Sequence, residues 1–155
     1  MEWVSTMADI FEDRVRGEYC LTTDATRLSV DVIYGWLTAE AYWAQGRSRE
    51  AVQTSIENSY LYGVVVPDGE TVACTRVITD HVTFGWVCDV FVDTAHRGRG
   101  LGTWMVDEIV RHWSAVGVGR LLLATRDAHD VYAKVGFGPI AVPERFMEID
   151  RRPKF

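Results

Sequence analysis

Apolar residues along this 155-residue chain recur at two periods, and the switches between them mark out helices and strands. Trp3, Met7, Ile10 and Phe11 fall at helical spacing, which predicts a short amphipathic helix over the first dozen residues. It would pack on the domain or on the second subunit of a homodimer. "EYCLTT" (18–23) reads as a first strand. Over 29–45, Ile33, Trp36, Leu37, Tyr42 and Trp43 predict a helix ending near Gly46. Ser48 is an N-cap for a second helix through 58, with Val52 and Ile56 four apart on one face.

A meander follows. "LYGVVV" and "TVACTRVI" flank the turn residues Pro67, Asp68 and Gly69, a hairpin signature. A third strand over 84–92 runs into a glycine-rich turn. Leu101, Met105, Ile109, Trp113 and Val116 then form the stripe of a helix that Gly117 and Gly119 end. "RLLLAT" is a buried strand, "DAHDVYAKV" a short helix starting near Asp127 and stopped by Gly136, and "FGPI" and "RFMEID" read as closing strands. With no repeat, low-complexity stretch or linker, the expected organisation is one mixed α and β domain over 1–155.

The turn itself carries the chemistry. In "VFVDTAHRGRGLGTWMVDEIV" three glycines stand at alternate positions (Gly98, Gly100, Gly102) with Arg97 and Arg99 among them. A strand-to-helix turn of this kind offers unpaired N–H groups, a partial positive charge and close backbone approach, which suits a phosphate. A Walker A loop would need Lys and then Ser/Thr after the last glycine; Leu101 and Thr103 flank Gly102, and no Lys is present there. A dinucleotide fingerprint would need glycine where Thr103 stands, and would open a parallel sheet rather than follow a meander. The bland alternative is a tight connection with incidental arginines.

Composition narrows the classes. Hydrophobic residues at 48% and charged residues at 25% are ordinary for a globular domain. A net charge of −6 argues against a general nucleic-acid binder, and no apolar run reaches the ~20 residues a bilayer span needs. The start lacks the features of a signal peptide, and three scattered cysteines read as reduced thiols, so a cytoplasmic protein is expected. No metal-ligand spacing is present. Residues 1–60 carry a net −5 and residues 61–155 a net −1, which makes the second half the less repulsive place for an anion. The same acidic first half favours a cationic acceptor over an anionic one.

Arg97 through Gly100 to Gly102 spells R-x-x-G-x-G, which resembles the pyrophosphate loop of the GNAT superfamily of acyl-CoA-dependent N-acyltransferases. "VYAKVGF" (131–137) resembles that family's Y-x-K-x-G-F element, and "LATRDAHDVY" resembles an uncharacterised bacterial branch. The resemblance covers 18–150, leaving the first ~15 residues outside. It implies an α+β GNAT-type fold: a mostly antiparallel twisted sheet flanked by helices, with a splayed parallel strand pair at the cofactor site. It implies acetyl-CoA (coenzyme A) as cofactor and a small-molecule or peptide amine as acceptor, with no nucleic-acid or membrane partner. Gly98, Arg99, Gly100, Leu101, Gly102 and Thr103 would hold the pyrophosphate, with charge from Arg97 and Arg99, one of which could instead pair with Asp93 or Asp107. The backbone of Val90, Phe91 and Val92 would take the pantetheine arm. Thr125 and Asp127 stand where many members carry a cofactor-binding asparagine.

Amine attack on a thioester poses two proton problems. Tyr132 occupies the family's general-acid position. A phenol near ~10 is a weaker acid than a thiol near ~8.5, a gap of about 2 kcal/mol, so hydrogen bonding matters beside full transfer. Members often place a Glu early in the strand before the turn, and this chain has Trp86 in that region. Asp89, a carboxylate in an apolar strand with Val87 and Phe91, is the leading base or amine anchor; pairing with Arg76 or an N–H would equally explain it. Asp80, His81 and His129 are weaker candidates with surface or capping roles. Tyr42, Trp43 and Arg47 would build the acceptor wall, with Arg76 beside them. An N-acetyltransferase is therefore expected, and the alternative is a non-catalytic acyl-CoA-binding regulatory module.

Overall fold

The computed structural model describes residues 10–152. Six strands form one sheet in sequence order: β1 (Arg14–Arg16), β2 (Tyr19–Thr22), β3 (Tyr60–Val65), β4 (Thr71–Thr79), β5 (Gly85–Val92) and β6 (Leu121–Leu122). All neighbours are antiparallel except β5 and β6, which run parallel. Four helices flank the sheet: α1 (Val30–Ala39), α2 (Arg49–Glu57), α3 (Leu101–Ala115) and α4 (His129–Ala133). This is the expected mixed fold with its single parallel pair.

Each face of the sheet has its own core. On one face, Met105, Ile109 and Trp113 of α3 pack on Tyr62, Val64, Val77 and Val87. On the other, Ile33, Trp36 and Leu37 of α1 and Val52 and Ile56 of α2 pack on Leu61, Val65, Cys74 and Phe91. The helix stripes read from the sequence are buried except at their ends: Tyr42 and Trp43 after α1 are exposed, and Val116 after α3 lies partly outside. Ser29 and Ser48 cap α1 and α2, their hydroxyls accepting from the Val32 and Ala51 amides.

Two expectations need correction, one strand is added, and one expectation lies largely outside the described residues. The helix expected over 29–45 stops at Ala39, and residues 41–47 wind into turns closed by Ala44 N–H to the Ala41 carbonyl and Arg47 N–H to the Ala44 carbonyl. The strand before the first expected one is real: β1 pairs with β2 across a turn at Gly17. The two closing strands are absent among the described residues; Pro139 and Pro143 lack the N–H a ladder needs, and Met147 and Ile149 lie almost wholly exposed. The N-terminal helix falls largely outside the described residues; Phe11, at its expected end, is non-helical and buried against Tyr62.

Strand β5 does not keep the alternation its sequence suggests. Cys74 pairs with Phe91, yet Arg76 pairs with Cys88, so two residues of β5 (Asp89 and Val90) face one of β4. Asp89 sits in the left-handed region at φ 52°, as the bulge requires. The carbonyls freed from the ladder find side chains instead: the Thr75 hydroxyl donates to the Cys88 carbonyl at 3.1 Å, and the Cys74 thiol to the Asp89 carbonyl at 3.6 Å. In consequence Val87 and Phe91, expected on one face, belong to opposite cores. The extra residue turns the strand over.

Candidate active site

The parallel pairing of β5 and β6 is two residues long, Gly85 with Leu121 and Trp86 with Leu122. Beyond it the strands part. A cavity of about 240 Å³ opens there, with Cys88, Asp89 and Val90 on one side and Leu123, Ala124 and Thr125 on the other. Tyr132 of α4 closes one wall, and Tyr42, Trp43 and Arg47 from the α1–α2 turns form another. Early termination of α1 is what brings these last three side chains over the bulge.

Asp89 is the hub of the far wall. Its side chain is 1% exposed and accepts four hydrogen bonds. Trp43 Nε1 donates to Oδ1 at 3.1 Å, Arg47 Nη1 reaches both oxygens at 3.0 and 2.9 Å, and Arg76 Nε donates to Oδ2 at 2.8 Å. A carboxylate offers about four lone-pair sites, so the acceptor capacity is filled. Arg76 itself does not line the cavity. It is buried behind Asp89, and its Nη1 donates to the Ser55 carbonyl and the Ser59 hydroxyl, each at 3.0 Å. The expected acceptor contact from Arg76 is thus replaced by a support beneath Asp89, while Tyr42 and Trp43 do face the cavity.

Burial raises the Tyr132 hydroxyl above the ordinary phenol range, with Tyr42 and Asp127 adding to the shift. The neutral, proton-bearing form is therefore held. Its ring packs edge-on to Phe137, and the turn after α4 closes by Phe137 N–H to the Tyr132 carbonyl, with Gly136 at φ 96°. Burial likewise pushes the Cys88 thiol up to about 11. The Thr125 hydroxyl accepts from the Ala128 amide at 3.0 Å ahead of α4. Arg126 stacks over Tyr42 at 3.6 Å, and its amide donates to the Tyr42 hydroxyl, fixing that ring at the rim.

At the end of β5 the chain makes a short turn at Thr94–His96 and enters α3 through the glycines. Gly98 and Gly100 have φ of 76° and 72°, a conformation that side-chain-bearing residues rarely adopt. Gly102 is different: it is helical, and a Cβ there would meet Val92 at an ordinary 3.6 Å. Neither backbone nor packing demands a glycine at that position. The N-terminus of α3 has no side-chain cap and no acidic residue in its first turn, so its leading N–H groups are unsatisfied by side chains.

The arginines beside it make one short hydrogen bond each and only long ion pairs. Arg97 donates from Nε to the Val92 carbonyl at 2.9 Å and lies 3.6 Å from Glu40. Arg99 donates to the Tyr19 hydroxyl at 2.6 Å and lies 3.6 Å from Glu18. Asp93 and Asp107, the alternative partners, are engaged elsewhere. Asp93 caps the Thr94–His96 turn through the Ala95 amide and accepts from Trp36 Nε1, and Asp107 pairs with Arg111. Asp80, His81 and His129 sit away from the cavity lining. Asp80 accepts from the Thr83 hydroxyl and from the Val82, Thr83 and Phe84 amides, bonds that together hold its carboxyl below the usual range, and His81 bonds the Tyr60 hydroxyl at 2.9 Å.

The Arg76 arm of the ion pair on Asp89 was an expected alternative, whereas the bulge, the Arg47 arm and Arg152, which reaches the cavity while paired to Asp150 at 2.7 Å, were not foreseen. One signal for the ion pair was available: a lone Asp amid β-branched and aromatic residues needs more than one donor when two arginines lie on neighbouring elements.

A mostly antiparallel sheet split open at one parallel pair, with an uncapped glycine-entered helix after β5, makes this an α+β fold. Residues 30–137 match the family model described as "Acetyltransferase (GNAT) family", and the chain belongs to that family. A Gibberella zeae protein named as a putative acetyltransferase is 29% identical over 140 residues, covering 77% of this chain and 78% of that protein. The crystal structure of a GNAT-family protein from Xanthomonas campestris pv. campestris is similar at 38% identity and a TM-score of 0.80, covering 85% of this chain and 92% of that one. A Mycobacterium tuberculosis protein solved in complex with CoA and NLQ shares the fold at 18% identity and a TM-score of 0.59, covering 77% of this chain and 72% of its own. No helix among the described residues is long and apolar enough to cross a membrane.

Proposed function

We propose that this GNAT-family chain is an acetyl-CoA-dependent N-acetyltransferase, acting on a primary amine that enters the cavity between β5 and β6. The observation that carries the reading is the uncapped α3 N-terminus, whose Gly102 serves no fold requirement, next to a cavity holding a protonated Tyr132. Helix N-termini of this kind suit a pyrophosphate. The N–H groups from Gly98 to Thr103 bind it, Arg97 and Arg99 add charge, and the parted edge at Val90, Phe91 and Val92 takes the pantetheine arm by its backbone. Bound acetyl-CoA supplies a thioester, whose carbonyl carbon accepts the amine.

The remaining work falls to the chain. A C–N bond forms, the C–S bond breaks, the amine loses one proton and the leaving sulfur gains one. Tyr132 donates a hydrogen bond or its proton to that sulfur. Thr125 keeps its hydroxyl on the Ala128 amide and shapes the start of α4 at the cofactor wall. Asp89, with every lone pair engaged, acts by holding Trp43 and Arg47 in place, and the amine proton leaves to solvent water.

A second reading, a non-catalytic acyl-CoA-binding module, draws on that same saturated carboxylate and on Trp86 standing where a Glu base is common. Calorimetric titration with acetyl-CoA, with NAD as control, tests the cofactor; thiol release in the presence of amines separates the two readings. Saturable acetyl-CoA binding with thiol release supports the enzyme. Binding without release supports the module, and preference for NAD would overturn both.

A further inference from the structure

We infer that the acceptor is an amine that also carries a carboxylate, an amino-acid-type molecule, and that Arg47 is the residue that recognises it. The inference rests on the proposed acetyl transfer for its chemistry, but the recognition is argued from the hub alone. Two guanidiniums, Arg47 and Arg76, meet one carboxylate, Asp89, so the hub keeps one positive charge in excess. Arg76 lies buried beneath, its Nε on Asp89 and its Nη1 on Ser55 and Ser59. The excess is therefore presented through Arg47, which is about one-third exposed and lines the cavity.

The hydrogen bonds leave Arg47 one open edge. Both of its bonds to Asp89 use Nη1. Nη2 and Nε, which lie side by side on the guanidinium plane, have no bonds among the described residues. That edge is the fork that takes a carboxylate through two parallel N–H···O bonds. Asp89 locks the other edge, so the plane is set before any ligand arrives and little rotamer entropy is lost on binding. Trp43, held by the same Asp89 oxygen, lies alongside as a flat apolar wall for the stem between amine and carboxylate.

Other charges around the cavity do not reverse this sign. Arg152 is matched by Asp150 and Arg126 by Asp127. The expectation of a cationic acceptor, drawn from the acidic first half of the chain, is therefore replaced. The acidic excess of residues 1–60 does not line this cavity, where that half contributes only Tyr42, Trp43 and Arg47.

The test measures thiol release from acetyl-CoA by the full chain, with each common L-amino acid set against its own carboxamide. The pair keeps the amine and removes only the negative charge. The expected result is at least one acid with kcat/KM ten-fold or more above its amide. In Arg47→Gln that ratio falls to within about three-fold, while Arg47→Lys retains part of it. Equal use of acids and amides, or use of amides, peptide N-termini or simple amines alone, would overturn the inference.

A second measurement decides the matter if no amine is turned over, or if acetyl-CoA does not bind and the proposed activity fails. Trp43 and Trp86 line the cavity, so tryptophan fluorescence reads its occupancy directly. Titration with N-acetyl-L-alanine and N-acetyl-L-phenylalanine should shift emission saturably. The corresponding amides, and Arg47→Gln with the acids, should bind at least ten-fold more weakly. No carboxylate-dependent response would sink the proposal, whatever the cofactor result.

Discussion

Arg16 of β1 donates from Nη2 to the Arg99 carbonyl at 2.7 Å and stacks over the Trp104 ring at 4.9 Å. A three-residue edge strand thereby ties down the glycine turn from 83 residues away. Because the tie is on the surface, its loss should cost little stability but should loosen the phosphate-binding backbone. Arg16→Ala is expected to weaken acetyl-CoA binding about three- to ten-fold by calorimetry, with thermal melting shifted by only about 2 °C. Unchanged affinity would mean that the turn is set by its glycines alone.

Arg97 and Arg99 are about half exposed, and each lies 3.6 Å from its carboxylate partner. Pairs this loose are weak, so turning to a phosphate costs each cation chiefly its one hydrogen bond, to the Val92 carbonyl or the Tyr19 hydroxyl. The double variant Arg97→Ala, Arg99→Ala should lower acetyl-CoA affinity on the order of ten- to a hundred-fold. The salt dependence of binding should flatten as well, with far-ultraviolet circular dichroism unaltered. A wild-type affinity would remove the phosphates from this turn.

Tyr132→Phe should keep acetyl-CoA affinity within about two-fold and lose roughly a hundred-fold or more in turnover. The raised phenol also fixes a sign: Tyr132 stays protonated through the range below its unfolded value, so it puts no alkaline limb on the rate below about pH 10. A Tyr132→Phe enzyme turning over at the wild-type rate would remove the acid from the mechanism.

Asp89→Asn separates support from base catalysis. Asn tolerates the left-handed backbone that Asp89 adopts, so the change chiefly removes charge from between two guanidiniums. Breaking a buried ion pair from one side costs about 3–5 kcal/mol, and urea unfolding should show a loss of that order. A base with no structural duty would instead lose turnover at unchanged stability.

Alkaline pH should unfold the protein for a reason that lies in its core. Burial pushes the thiols of Cys74 and Cys88 up, the latter to about 11, and raises the Tyr62 hydroxyl. The folded chain therefore holds protons that the unfolded chain releases, so stability is full below the ordinary thiol value near ~8.5 and falls as pH rises past it. Each such thiol contributes a slope of up to about 1.4 kcal/mol per pH unit. Urea midpoints between pH 8 and 10.5 should decline, and Cys74→Ala should remove part of the decline.

The helices, the hairpin and the glycine turn were legible because each rests on a local signal: a buried stripe, a capping serine, a turn tripeptide or a left-handed glycine. Tyr132 stood out only through the resemblance of "VYAKVGF" to the GNAT element, not through any local physical signal. Asp89 was visible only as an anomaly, since its partners Arg47 and Arg76 lie 42 and 13 residues away and nothing local ties them together. β1 escaped because a three-residue edge strand holds one apolar residue, Val15, and no period. The closing strands were over-read: alternation around Met147 and Ile149 met the pattern, but no neighbour among the described residues pairs with it.

The bulge between Cys88 and Val90 also decides how substitutions in β5 are to be interpreted. Before it, odd-numbered positions answer to α3 and even-numbered ones to the opposite side; after it, the assignments exchange. A mutational scan that treats Gly85–Val92 as one alternating ribbon would misassign half of it, scoring Phe91 by the packing rules of Val87. The scan should instead show two tolerance profiles of opposite parity meeting at Asp89. Deleting a single residue there would merge them, and one core or the other would receive the wrong side chains.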